Sequence, residues 1–239
     1  LRFELSLGVR SSWFIYAAPW SGWKWDLLYD FRLDKSMRRL LEFLLSEDYE
    51  VGPHSSMASA VVDPKLLDGE VDRLNRFLRP RGGRCSGVRQ HELAGKCTER
   101  TLEFSSRFAY DTSIGFNNSV GFRSGVSTPY TPVDSRSESF LELPLSLMDN
   151  SLFNMVRSDE PNYGLDNATK IGRNLLDDVR KVSGMVVLNW HPHVWDQERY
   201  PRWAQAYFDL VHYALETNAW IAPAQQVADH WIRRRAKMS

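Results

Sequence analysis

Short apolar runs alternate with amphipathic segments of helical period along almost the whole chain, and this alternation most constrains the fold. It is the pattern of a parallel α/β sheet or barrel, in which each strand is returned to the same side by a helix. The runs at Val9–Tyr16, Tyr49–Pro53, Cys85–Arg89, Phe108–Tyr110, Phe140–Leu145, Met185–Trp190 and Ala219–Ile221 read as strands. Met185–Trp190 is the most apolar, so it is expected to be buried on both sides.

The helices between them carry their own signals. Asp34 is placed to cap a helix whose Met37, Leu40, Leu41 and Leu44 share one face. Asp63-Pro64 reads as a helix start, with Leu67, Val71, Leu74 and Leu78 on the buried side and Gly82-Gly83 at the end. A further helix is expected over 98–107. Another begins at Asp166 or Asn167, with Ile171, Leu175, Val179 and Val182 inward and Gly184 just past its end. Pro201 begins a helix bearing Trp203, Tyr207, Leu210 and Val211, and residues 224–235 form the last one. Residues 19–33 and 112–139 read as loops, the second with one short hairpin.

The 239 residues suit one domain spanning 1–239. Thirty basic and thirty acidic side chains cancel, which removes the broad positive field that draws a protein to nucleic acid or anionic membrane. The Arg233–Lys237 cluster reads as a solvated helix end. No apolar run reaches the ~18 residues of a membrane helix, and Arg2, Glu4 and Arg10 interrupt any signal-peptide core. The compartment stays open, as does the oligomeric state. Cys85 and Cys97 are too few for a disulfide framework and read as ordinary thiols. Of the nine tryptophans, Trp20, Trp23, Trp25 and Trp195 fall in loops, where aromatic faces suit flat ligands such as sugars.

Polar residues gather where strands end: His54, Arg89 with His91, Asp111, and His191. Parallel strands present their carboxyl ends to one rim, where α/β proteins build their sites. Imidazole is a good ligand for first-row divalent metals. A metal that polarises a carbonyl, with a base for water and an acid for the leaving amine, meets the needs of amide or ester hydrolysis. His54 and His91 are the candidate metal ligands, His191 the candidate acid, and Arg89 with Asp111 a candidate ion pair. His212 and His230, inside helices, read as structural. Arg123 and Tyr130, in a glycine-punctuated loop, are candidate substrate contacts together with Trp190. Met148-Asp149-Asn150 follows the Phe140–Leu145 strand and is expected to reach the same rim, though Asp149 is given no catalytic role.

These residues also resemble a known family. Glu50-x-Gly52-x-His54-Ser55 is similar to the second motif, E-x-G-x-H-[S/T]-x-x-H, of the polysaccharide deacetylases (the NodB-homology group, carbohydrate esterase family 4). Val88-Arg89-Gln90-His91 resembles its arginine motif, and Tyr110-Asp111-Thr112-Ser113 its Y-D-S-S segment. Leu188-Asn189-Trp190-His191 resembles its last motif, L-x-x-H. The likeness runs from about residue 9 to 231. It implies a distorted (β/α)7-type barrel and removal of acetyl groups from an N-acetylated glycan. It also implies a divalent metal, zinc or alternatively cobalt, nickel or manganese. By it His54 is a metal ligand, Arg89 orients a catalytic aspartate, and His191 is the general acid.

Two departures stand out. The family's first strand ends in an aspartate pair, and the resemblance places that strand before Leu1, so the chain reads as N-terminally incomplete. The second metal histidine falls at Ala58, and His91 is the expected substitute. Two other functions fit the same residues: an inactive glycan-binding protein of this fold, and a metal-assisted C–N hydrolase acting on a small molecule.

Overall fold

The computed structural model describes residues 1–18, 30–94, 103–155 and 161–237. Trp20, Trp23, Trp25, Cys97 and the first half of the expected 98–107 helix lie outside these residues. The chain forms two compact units. The larger holds Leu1–Ser113, Pro129–Leu143 and Ala222–Ser239, and the smaller Ile114–Thr128 and Pro144–Ile221.

The larger unit is a parallel α/β layer. Helix α1 (Arg2–Ser6) precedes β1 (Ser12–Tyr16), α2 (Lys35–Ser46), β2 (Glu50–His54), α3 (Met57–Val61) and α4 (Leu66–Leu78). Then come β3 (Gly87–Val88), β4 (Tyr110–Asp111) and β5 (Leu141–Glu142), and the unit closes with the C-terminal helix Ala224–Ala236. β1 pairs with β2 in parallel, Ser12 opposite Glu50 and Tyr16 opposite His54. One parallel bridge, His54 to Arg89, leads to β3. β3, β4 and β5 pair in parallel, with Val88 opposite Asp111 and Asp111 opposite Glu142. His54, Arg89, Asp111 and Glu142 therefore lie at neighbouring strand ends, His54 and Arg89 one residue past the level of Asp111 and Glu142.

Helix α2 forms as its sequence dictates, whereas α4 starts at Leu66 rather than at Asp63-Pro64, and the helix expected from Asp166 or Asn167 begins earlier, at Pro161. The Asp34 carboxylate accepts the Ser36 and Met37 N–H groups, filling the donors a helix start leaves open. Leu41 and Leu44 of α2 and Leu74 and Leu78 of α4 pack with Ile15 and Val51. Each such side chain contributes about 1.5–3 kcal/mol by leaving water. Two glycines are needed by space. A Cβ on Gly87 would stand 2.0 Å from the Tyr110 ring, so Gly87 lets that ring lie across β3. A Cβ on Gly52 would press on the Gly87 carbonyl at 3.0 Å. Cys85 is a free thiol that burial pushes up to about 12, the inert case.

The smaller unit pairs β6 (Leu145–Met148) in parallel with β7 (Val187–Asn189), with an irregularity between Leu145 and Leu147. Helices α5 (Asp149–Met155), α6 (Pro161–Lys181) and α7 (Trp203–Glu216) accompany them. Leu147, Leu152, Ala168 and Leu210 form its core. The C-terminal helix of the larger unit is α8 in chain order.

Several expectations need correction. The Phe140–Leu145 run is two strands, because Pro144 lacks the N–H that would continue the ladder. β7 is half-buried rather than enclosed, being paired with β6 on one side among the described residues. Ala219–Ile221 is not a strand, and the Ala219 N–H closes α7 by donating to the Ala214 carbonyl at 2.9 Å. Ser183, with φ 53°, takes the left-handed turn after α6. Gly184 is required by room instead: a Cβ there would meet Ser127 Oγ at 2.4 Å. The strands form separate sheets, and no closed barrel is present among the described residues. Nor is any of their helices long and apolar enough to cross a membrane.

Candidate active site

In the larger unit the site begins with His54, the last residue of β2. Its Nδ1 lies 3.1 Å from the Arg89 carbonyl. A carbonyl only accepts, so Nδ1 carries the proton and Nε2 presents its lone pair. That Nε2 lies 3.1 Å from His91 Nδ1, with the rings nearly perpendicular at 81°. Both side chains are half-buried. His91 starts a tight turn in which Glu92 and Leu93 both have positive φ, 54° and 51°. For non-glycine residues that is uncommon and costly, and such strain gathers at functional sites.

Buried polar groups hold this pair. The His91 N–H donates to Ser55 Oγ at 3.3 Å, and the Ser55 hydroxyl donates to Gln90 Oε1. The Gln90 N–H donates to Ser113 Oγ at 2.9 Å, and the Ser113 hydroxyl donates to Asp111 Oδ1. The line of bonds thus runs from His91 to Asp111. Ser56 gives its N–H (3.0 Å) and hydroxyl (2.5 Å) to the buried Glu70 carboxylate of α4.

Arg89 is buried beside them. Its Nε donates to the Thr112 carbonyl at 3.1 Å and its Nη2 to Thr112 Oγ1 at 3.0 Å, with the guanidinium 4.8 Å over the Phe14 ring. Burial pushes its pKa down to about 10, against the pull of Asp111, Glu142 and Glu50. It remains a cation at neutral pH. Glu50, at the start of β2, is also buried. Oε1 accepts the Tyr110 hydroxyl at 2.5 Å, while Oε2 accepts the Ser12 hydroxyl at 2.5 Å and the Gln225 N–H at 2.9 Å. Burial nevertheless raises the Glu50 pKa, and it drives the Tyr110 hydroxyl well above its ordinary range. Tyr130 is half-buried and bridges β5 through its backbone at Glu142.

In the smaller unit, β6 and β7 bring Asp149 and His191 together. The His191 Nδ1–H donates to Asp149 Oδ1 at 2.9 Å, and its peptide N–H to Oδ2 at 2.6 Å. Asp149 is fully buried, whereas the His191 side chain is one-third exposed. The carboxylate fixes the tautomer and leaves Nε2 as the proton-exchanging nitrogen. His193 lies 5.3 Å from His191, and burial and that neighbour lower its pKa. Trp190 is engaged internally, since its indole N–H donates to the Trp203 carbonyl at 3.1 Å and its ring meets Tyr207. Arg123 is exposed and reaches the Gly115 carbonyl at 3.4 Å.

Of the residues singled out from sequence, His54, Arg89, His91, Asp111 and Tyr130 fall in the larger unit. His191, Trp190 and Arg123 fall in the smaller. Sequence reasoning missed Glu50, Ser55, Glu70, Gln90 and Ser113 as structural partners, and it placed Asp149 toward the rim without its pairing to His191. A Met-Asp step directly after a strand was the available signal for Asp149.

A solved structure from Mycobacterium smegmatis, of a protein provisionally designated a polysaccharide deacetylase, matches the chain with a TM-score of 0.68. The two are 18% identical, and the match covers 98% of this chain and 76% of that one. A second, from Bordetella bronchiseptica, is provisionally designated a polysaccharide deacetylase involved in O-antigen biosynthesis. It matches with a TM-score of 0.43 at 18% identity, over 98% of this chain and 82% of that one. No family model and no curated protein matches the sequence. The first likeness establishes that the chain has the polysaccharide deacetylase fold.

Proposed function

We propose that the chain is a metal-dependent hydrolase that removes acetyl groups from an N-acetylated glycan, on a distorted (β/α)7-type barrel of the deacetylase kind. The observation that carries this reading is the convergence of His54 Nε2 and His91 Nδ1 at 3.1 Å. Two imidazole nitrogens brought this close are the pair that would hold a divalent metal ion. The Arg89 carbonyl on His54 Nδ1 is the outer partner that metal-binding histidines characteristically have. Zinc is the first choice, with cobalt, nickel and manganese as alternatives for an imidazole pair. When bound, such a cation supplies Lewis acidity, polarising a carbonyl and lowering the pKa of water.

The remaining roles fall to this chain's own groups. His191, oriented by Asp149, presents Nε2 to exchange a proton with the leaving amine. Arg89 keeps a buried positive charge beside Asp111, placed to orient that carboxylate. Arg123, Tyr130 and Trp190 are assigned to sugar contacts.

The test is calorimetric titration of zinc into metal-free protein, alongside acetate release from N-acetylglucosamine oligomers. Zinc binding that survives the His54→Ala/His91→Ala double substitution defeats the metal assignment. Tight zinc binding without acetate release from any acetylated oligosaccharide defeats the deacetylase assignment.

One observation favours a second reading, an inactive glycan-binding protein. No three His, Cys, Asp or Glu side chains cluster as a metal site among the described residues. Saturable oligosaccharide binding by protein that neither binds zinc nor releases acetate supports that reading.

A further inference from the structure

A cleft on the larger unit lies away from every strand end. Arg32, Arg38, Arg73, Arg76, Phe77 and Arg81, all from helices α2 and α4 or the turns beside them, enclose about 250 Å³. The whole chain has no net charge, so five guanidinium groups around one cleft are a local concentration. They repel one another, and the structure neutralises them only in part. Asp30 pairs with Arg32 at 2.7 Å and with Arg73 at 2.8 Å, and Glu42 pairs with Arg81 at 2.9 Å. Arg38 and Arg76 form no ion pair with a carboxylate among the described residues. Arg76 reaches only the Asp72 carbonyl, at 3.3 Å.

A second observation points to a missing acceptor. Arg73 Nε is buried and has no hydrogen-bond partner among the described residues. A buried donor left unsatisfied is costly, and buried polar groups are nearly always paired. Among the described residues, the cleft thus has positive charge in excess, two cations on its rim without a carboxylate partner and an unsatisfied donor in its wall.

We infer that this cleft binds a compact phosphate-bearing anion. The guanidinium fork matches phosphate oxygens two at a time, which is why arginine dominates such sites. The volume equals about eight waters at ~30 Å³ each, the scale of a diphosphate rather than of a sugar chain. A neighbouring opening, lined by Asp72, Asn75, Arg76, Arg79 and Pro80, shares Arg76 and offers about 460 Å³ for the rest of a phosphorylated molecule. The inference does not depend on the deacetylase reading, because no residue of the cleft belongs to the histidine sites.

The experiment is calorimetric titration of inorganic pyrophosphate into the full chain at two salt concentrations. Saturable binding that weakens with salt is expected. Arg38→Ala and Arg76→Ala should each weaken it about tenfold, the worth of one charge-assisted hydrogen bond. Both side chains are exposed, so thermal melts of the variants should match the parent. Arg76→Lys should fall between, keeping the charge without the fork. Flotation with phosphatidylcholine vesicles carrying phosphatidic acid distinguishes the source of the phosphate. Vesicle binding that pyrophosphate competes away assigns a lipid headgroup, and pyrophosphate binding without vesicle binding assigns a soluble phosphate ester. Absence of pyrophosphate binding, binding unchanged in the Arg38→Ala/Arg76→Ala double variant, or vesicle binding that pyrophosphate leaves untouched overturns the inference.

Discussion

His54 Nε2 and His91 Nδ1 face each other across 3.1 Å, although 37 residues separate them in the chain. The contact follows from the parallel bridge between His54 and Arg89, which sets the residue two places after Arg89 beside the end of β2. If both are ligands, His54→Ala and His91→Ala should each lower zinc affinity more than ~100-fold, the upper end for loss of a mere outer partner. Metal content after dialysis, with circular dichroism to confirm folding, measures this. A His91→Ala protein that retains zinc like the parent removes His91 from the site.

Asp149 accepts two N–H groups of the same residue, His191. An asparagine offers one oxygen and one NH₂, so Asp149→Asn must turn a donor toward one of them. His191→Ala should lower kcat for acetate release by ~10²–10⁴ while zinc affinity stays unchanged. Asp149→Asn should lower kcat in the same direction with KM nearly constant. Steady-state kinetics on an acetylated oligosaccharide decides, and a pure KM effect in either variant would assign the pair to binding instead.

Glu50 gives the protein a stability term that depends on pH. Burial raises its folded pKa above the ordinary 4.5, outweighing its three hydrogen bonds. Between 4.5 and the raised value the folded chain holds more protons than the unfolded one, so stability falls as pH rises. The contribution is complete below 4.5 and lost once pH passes the folded pKa. Glu50→Gln should flatten this slope. Urea midpoints of both proteins, from below 4.5 to neutrality, test it, and parallel curves would refute the assignment.

Gly87→Ala places a methyl group 2.0 Å from a Tyr110 ring that Glu50 holds by its hydroxyl. Neither ring nor strand has room to yield, so the cost should reach the upper range for overpacking, about 3 kcal/mol. Equilibrium denaturation reads this directly, and a change below 1 kcal/mol, the foot of the ~1–3 kcal/mol overpacking range, would show that the ring moves aside.

What was legible in the sequence was local. The Asp34 cap, the apolar faces of α2 and α4, and the strand ends at His54, Arg89, Asp111 and His191 depend on spacing within a few residues. Pro144 was visible, but its effect depended on which strands lay beside it. The use of Asp149 was hidden because its partner stands 42 residues on, and nothing near Asp149 records the β6–β7 pairing. Glu50 was more obscure still. Its ligands are Ser12, Tyr110 and Gln225, so its role depends on three distant segments at once.

That last connection bears on how the protein is made. The larger unit takes its first 113 residues from the start of the chain and its final helix from the end, with the smaller unit's segments emerging between them. Chains leave the ribosome N-terminus first, at ~5–20 residues per second. Glu50 cannot receive the Gln225 N–H, nor Ser12 the Ala224 N–H at 2.7 Å, until Ala224 and Gln225 have themselves been released. The strand that carries His54 therefore waits, incompletely satisfied, for a segment synthesised 175 residues after Glu50. A chain cut short before Ala222 would leave that strand in the same unfinished state.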